Sequence, residues 1–122
     1  MKAREVITYK EYFDEFFNAQ PQKVRDKIIK ILDIIEQVER IPMTYLKYIE
    51  GTNGLFEVRV QLGSNIFRIF CFFDGNKFVI LLTGFQKKTR KTPPKEIDRA
   101  VRLMNEYYEE KRKETNKWIQ EH

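Results

Sequence analysis

The chain has 122 residues, 42% hydrophobic and 34% charged, with 23 lysines and arginines against 18 acidic residues, a net charge of +5. That length supports one domain spanning residues 1–122 with a real core, and excludes two. Cys71 is the only cysteine and the only histidine is His122, the last residue, so an internal disulfide is excluded and metal or histidine chemistry is disfavoured. The positive excess gathers around positions 87–102, which points to a nucleic-acid partner. No apolar run reaches the ~18 residues of a membrane span, and the opening residues lack a signal peptide's apolar core. A cytoplasmic protein without membrane association is expected.

Ala3 to Ile7 reads as a short edge strand. Thr8-Tyr9-Lys10-Glu11 fits a capping box, with Thr8 capping a helix and Glu11 reaching back. Tyr9, Tyr12, Phe13, Phe16 and Phe17 follow at helical spacing, as a core stripe does. After a break at 18–20, Pro21 suits the first turn of a second helix, whose stripe is Val24, Ile28, Ile31, Leu32, Ile35 and Val38. The two helices are expected to form a hairpin on one face of a sheet. Ile41-Pro42 ends the second. Met43 to Asn53 then reads as a connection in which Tyr45 and Tyr48 cover the sheet edge.

The organising stretch runs from Gly54 to Lys91. Strand-length runs rich in Phe, Val and Ile are separated by Gly-Ser-Asn and Asp-Gly-Asn, which is hairpin punctuation. The first run alternates, with Phe56, Val58, Val60 and Leu62 on one side and Leu55, Glu57, Arg59 and Gln61 on the other. The next two runs are apolar on both sides, as strands covered on both faces are, except that Arg68 interrupts the first of them. A two-residue loop at Gly63-Ser64 sets Arg59 opposite Arg68 on the same face. A two-residue turn near Gly75 adds Val79, Leu81, Thr83 and Phe85 to that face. The face is then apolar at one end and polar at the other, where the run Gln86 to Lys91 leaves the sheet.

Two arginines side by side repel by up to roughly 1 kcal/mol. Either Glu57 neutralises one while the other reaches water, or the pair holds an anion. The adjoining basic loop favours the anion.

Thr92-Pro93-Pro94 opens a last helix with the stripe Ile97, Ala100, Val101, Met104 and Tyr108, expected to pack on the sheet. Residues 109–122 form a charged extension with Trp118-Ile119 near its end. The chain has no P-loop, dinucleotide fingerprint or paired-carboxylate motif. Its chemical equipment is Arg59, Arg68, Lys87, Lys88, Arg90 and Lys91, with Glu57 the nearest carboxylate. Such a set suits a phosphate or a pentacoordinate phosphoryl transition state. RNA carries its own nucleophile, the 2′-hydroxyl, so a site that only positions it and stabilises charge can cleave without histidine or metal. Glu57 or a lysine of lowered pKa is then the proton acceptor.

The order of helix hairpin, three-stranded sheet and final helix resembles the RelE/ParE toxin superfamily, an α+β fold. The segments LFEVRV, NIFRIFCFFD and LLTGFQKKTRKTPPKEI are similar to the phage-derived Gp49-like branch of HigB toxins, over roughly residues 5–108. The resemblance implies a metal-independent, ribosome-dependent endonuclease acting on mRNA in the A site, needing no cofactor and restrained by a helix-turn-helix HigA-like antitoxin. It assigns the reaction to Arg59, Arg68, Lys87 and Lys88; the reading of the residues adds Glu57 to that set and expects RNA contacts from Arg90, Lys91, Thr83 and Phe85. Some members use a tyrosine or histidine near the C-terminus; no residue here matches it, Tyr107 and Tyr108 lying on a helix whose stripe buries at least one of them. Two other functions share the fold or the charge: a ParE-like block of DNA gyrase without catalysis, and a plain RNA-binding module whose aromatic residues stack bases. The adjacent Arg59 and Arg68 argue against the first. The placement of most aromatics on core stripes argues against the second.

Overall fold

The computed structural model describes residues 2–122. Its elements are β1 (Glu5–Thr8), α1 (Tyr12–Asn18), α2 (Gln22–Gln37), β2 (Leu46–Tyr48), β3 (Leu55–Leu62), β4 (Asn65–Asp74), β5 (Phe78–Lys87) and α3 (Pro94–Glu121). The strands make one sheet in the order β1-β5-β4-β3-β2. Every pairing is antiparallel except β1 with β5. The sheet is therefore larger than the three central strands and mixed at one edge.

Both faces are covered. Val58, Val60, Phe67, Ile69, Cys71, Val79 and Leu81 pack with Phe13 of α1 and with Val24, Ile28, Ile31 and Ile35 of α2. Leu55, Phe70, Phe72, Ile80 and Leu82 pack on the other side with Ala100, Leu103 and Met104 of α3. The helix hairpin and the last helix thus sandwich the sheet, which is why β4 and β5 are apolar on both sides. Pro21 flanks α2 in extended conformation, and Pro94 occupies its first-turn place in α3. The end of α2 is closed by a distant cation. The Arg4 guanidinium donates to the carbonyl of Ile35 at 2.5 Å and of Val38 at 2.7 Å, satisfying oxygens the helix leaves free.

Three expectations are corrected. The Thr8 capping box does not form: Thr8 is the last residue of β1, opposite Leu81, and Glu11 flanks α1 without a side-chain cap. The chain turns between them at Lys10, whose φ is 55°. Residues 43–53 are not merely a connection, because Leu46–Tyr48 pairs with β3 as an edge strand. Val79 and Leu81 do not share the arginine face. Asp74 pairs with Phe78, so three residues rather than two close the β4–β5 hairpin, and one residue of slip moves the side chains to the opposite face. A bulge between Ile69 and Cys71 reverses the slip further along and brings Phe85 opposite Arg68.

α3 is long, about 42 Å at 1.5 Å per residue. Its buried side chains end at Met104, with Tyr107 partly buried, whereas Tyr108 is 43% exposed. Residues 109–122 continue the helix as far as Glu121 with every side chain exposed. Among the described residues, no helix is long and apolar enough to cross a membrane.

Candidate nucleic-acid interface

The site begins with the alternation of β3. Because Val58 and Val60 point into the core under α2, Glu57 and Arg59 point to the face that α3 covers only in part. Arg59 pairs directly with Arg68 on β4, as the Gly63-Ser64 turn predicts. Glu57 in turn pairs with Phe70 on one side and with Lys47 of β2 on the other. Lys87, opposite Ile66, stands two residues from Arg68 along the pairing and so on the same face.

Arg68 and Glu57 are buried, 5% and 9% exposed, and Arg68 Nε lies 2.5 Å from Glu57 Oε2. The approach lies off the line of the N–H, so the contact is an ion pair rather than a well-directed hydrogen bond. Arg68 Nη1 donates to the Phe67 carbonyl at 3.2 Å. Arg59 is half-buried, and its Nε is buried with no partner among the described residues. Two cations against one carboxylate leave this trio with one uncompensated positive charge. The first expected reading is thus met in part, since Glu57 does neutralise one arginine. The second cation remains available to an anion.

Electrostatics carry the same message. Burial lowers the Arg68 pKa; Glu57 opposes that shift, and the neighbouring Arg59 charge adds to it. The Lys87 pKa is also lowered, first by burial, then by the charges of Arg68, Arg59 and Lys47, against the pull of Glu57. These cations are crowded at a distance where an incoming anion relieves the crowding.

Glu57 and Arg59 border a cleft of about 450 Å³ between β2, the loop after β5 and the start of α3, with Arg68 buried behind them. Lys47, Arg59, Lys87, Arg90 and Lys91 supply five cations, against Glu50 and the already engaged Glu57. Lys47 was not among the residues expected from sequence. Its strand is three residues long, too short for a periodic signal, and only pairing with Glu57 places it at the site.

Other expected residues fall elsewhere. Lys88 is exposed just past the end of β5 and does not line the cleft. Thr83 is 2% exposed, within the bulged stretch, so its hydroxyl presents no surface to a ligand. Phe85 is half-buried and stacks on Phe70 with ring centroids 5.6 Å apart, which uses one of its faces. Tyr107 and Tyr108 are remote. Tyr107 donates to Asp74 Oδ2 at 2.6 Å, six residues along β4 from Arg68 and therefore roughly 20 Å away. Among the described residues, no group of three or more His, Cys, Asp and Glu side chains is arranged to hold a metal ion.

The arrangement can grip a phosphodiester. Guanidinium donors offer fork geometry for phosphate oxygens, and their partial burial strengthens each interaction relative to water.

The strand order and the helices on both faces define a RelE-like fold. Two solved structures are similar: the archaeal RelE–RelB complex from Pyrococcus horikoshii OT3, and the RelB–RelE antitoxin–toxin complex from Methanococcus jannaschii. The first matches at 19% identity over 73% of this chain and 99% of that one, TM-score 0.51. The second matches at 18% identity over 71% and 99%, TM-score 0.52. No curated protein matches the chain. The family model "Phage derived protein Gp49-like (DUF891)" matches residues 15–105, and the chain belongs to that family.

Proposed function

We propose that this chain is the toxin of a toxin–antitoxin pair, and that it cleaves mRNA engaged on the ribosome. The observation that carries the reading is the Arg59–Arg68 pair, one arginine bound to Glu57 and the other without a partner at Nε among the described residues, beside a cleft rich in lysine and arginine. Family membership and the RelE-like fold support the toxin assignment. A helix-turn-helix antitoxin of the HigA kind is the partner proposed.

In this reading the scissile phosphate sits against Arg59 and Arg68. The RNA 2′-hydroxyl oxygen attacks phosphorus, the bond to the 5′-oxygen breaks, and a 2′,3′-cyclic phosphate is left. The two guanidiniums stabilise charge gathering on the non-bridging oxygens, typically worth a hundredfold or more in rate for each donor. Glu57 holds Arg68 in place and is the carboxylate nearest the reacting atoms. Lys87, whose pKa is lowered by burial and by its cationic neighbours, takes the 2′-hydroxyl proton in its neutral form and returns it to the leaving 5′-oxygen. Arg90 and Lys91 hold the flanking backbone, with Lys47 added and Lys88 further out. The ribosome bends the substrate into line, a task this open cleft does not perform.

The test is a comparison of the same mRNA free in buffer and in a translating extract, with the cut ends mapped. Cutting confined to translated RNA, leaving 2′,3′-cyclic or 3′-phosphate ends, is expected. Intact mRNA accompanied by inhibited DNA gyrase would sink the proposal in favour of a ParE-like toxin.

A further inference from the structure

Arg59 belongs to two cavities. One is the cationic cleft; the other, of about 420 Å³, lies at the outer edge of β3 and is lined by Lys27, Thr44, Tyr45, Arg59, Gln61 and Arg68. This second cavity exists because β2 begins only at Leu46. Its pairing ends at Val58, followed by one bond from the Arg59 amide to the Tyr45 carbonyl at 2.7 Å. Beyond Arg59, no strand among the described residues pairs with that side of β3.

The lining differs in kind from the cleft. It holds three cations and no carboxylate, yet also an aromatic ring, a hydroxyl, an amide and the apolar Ile31 and Val60. Gln61 Nε2 donates to the Gly63 carbonyl at 3.2 Å, which anchors the amide while Oε1 accepts no bond from the described residues. The lining is mostly polar, Ile31 and Val60 being buried beneath it, so the Tyr45 ring is the one flat surface offered to a heterocycle, with Thr44 and Gln61 as polar groups beside it; the volume falls in the range of small-ligand sites. Single-stranded RNA is read in this way, by stacking and by hydrogen bonds to base edges.

We infer that the cavity at the open edge of β3 receives the nucleobase next to the phosphate held by Arg59 and Arg68, with Tyr45 packing on the base and Gln61 and Thr44 reading its edge. This inference rests on the mRNA-cutting reading. An RNA strand crossing Arg59 passes from the cationic cleft, which takes backbone charge, into the edge cavity, which takes a base. Gln61 and Thr44 are specificity residues; they do not touch the reacting atoms.

The test is the ratio of cut ends at the favoured base to those at the other three, mapped on mRNAs in a translating extract. Parent protein is expected to favour one base beside the cut. Gln61→Ala should lower that ratio about fivefold, the effect of one net hydrogen bond, and Thr44→Val should shift it in the same direction. Lys91→Ala, across the arginine pair, should reduce cutting without moving the ratio. Circular dichroism checks that each variant is folded. If parent and both edge variants cut with the same base ratio, the inference is overturned while the mRNA-cutting reading stands. If the parent cuts no mRNA, both fall.

Discussion

The Glu57–Arg68 pair allows stability and chemistry to be separated. Both groups are almost fully buried and 2.5 Å apart, so removing either leaves a charge in low dielectric without its partner. Breaking such a pair costs about 3–5 kcal/mol, a large share of the roughly 5–15 kcal/mol that holds a domain together. The two single changes are not equivalent here. Arg68→Met leaves Glu57 beside Arg59, which can take over part of the compensation, so the cost belongs near about 3 kcal/mol. Glu57→Gln leaves Arg59 and Arg68 adjacent with nothing between them, so the cost belongs near about 5 kcal/mol. The double variant Glu57→Gln/Arg68→Met removes both charges and should lose far less than the sum, with a coupling of at least about 2 kcal/mol. Urea unfolding followed by circular dichroism measures all four proteins, and an unchanged slope keeps the comparison valid. Strictly additive losses would mean that the pair is not coupled, and the electrostatic account of the site would be wrong.

Gly84→Ala should destabilise by about 1–3 kcal/mol, read as a lower urea midpoint, because a Cβ there would stand 2.6 Å from a ring carbon of Phe16. Lys87→Met should raise stability at pH 7. The folded-state pKa of Lys87 is depressed, so its proton costs stability below the folded pKa, and the cost fades as pH rises towards the unfolded value near about 10.4. Urea midpoints of parent and variant should therefore converge from pH 7 to 10; a constant gap would contradict the shift. Lys91→Ala, exposed at the cleft rim, should weaken ribosome binding and flatten its salt dependence by about one unit of log–log slope, leaving residual cutting.

The centre of the fold was legible because side-chain alternation and turn chemistry agree there. Leu55 to Leu62 alternates cleanly, Gly63-Ser64 closes a two-residue loop, and together they place Arg59 opposite Arg68. The β4–β5 register was less legible, since both strands are apolar on both faces and alternation gives no check on loop length. A three-residue loop and a bulge then cancel in their effect on Phe85 but not on Val79 and Leu81. The edges were hidden for a different reason. β2 has three residues and β1 four, and each is a strand only because a longer neighbour pairs with it. Lys47 and the edge cavity depend on where β2 begins, so neither had a local signature. The same holds for Arg4, whose role at the end of α2 spans more than thirty residues of sequence.

The most direct test of the central claim uses the double variant Glu57→Gln/Arg68→Met in a translating extract beside the parent. Its fold retained by cancellation of charge, it should cut mRNA at least a hundredfold more slowly and should not arrest growth when expressed. A folded double variant that cuts mRNA and arrests growth like the parent would contradict the assignment of the reaction to this arginine face.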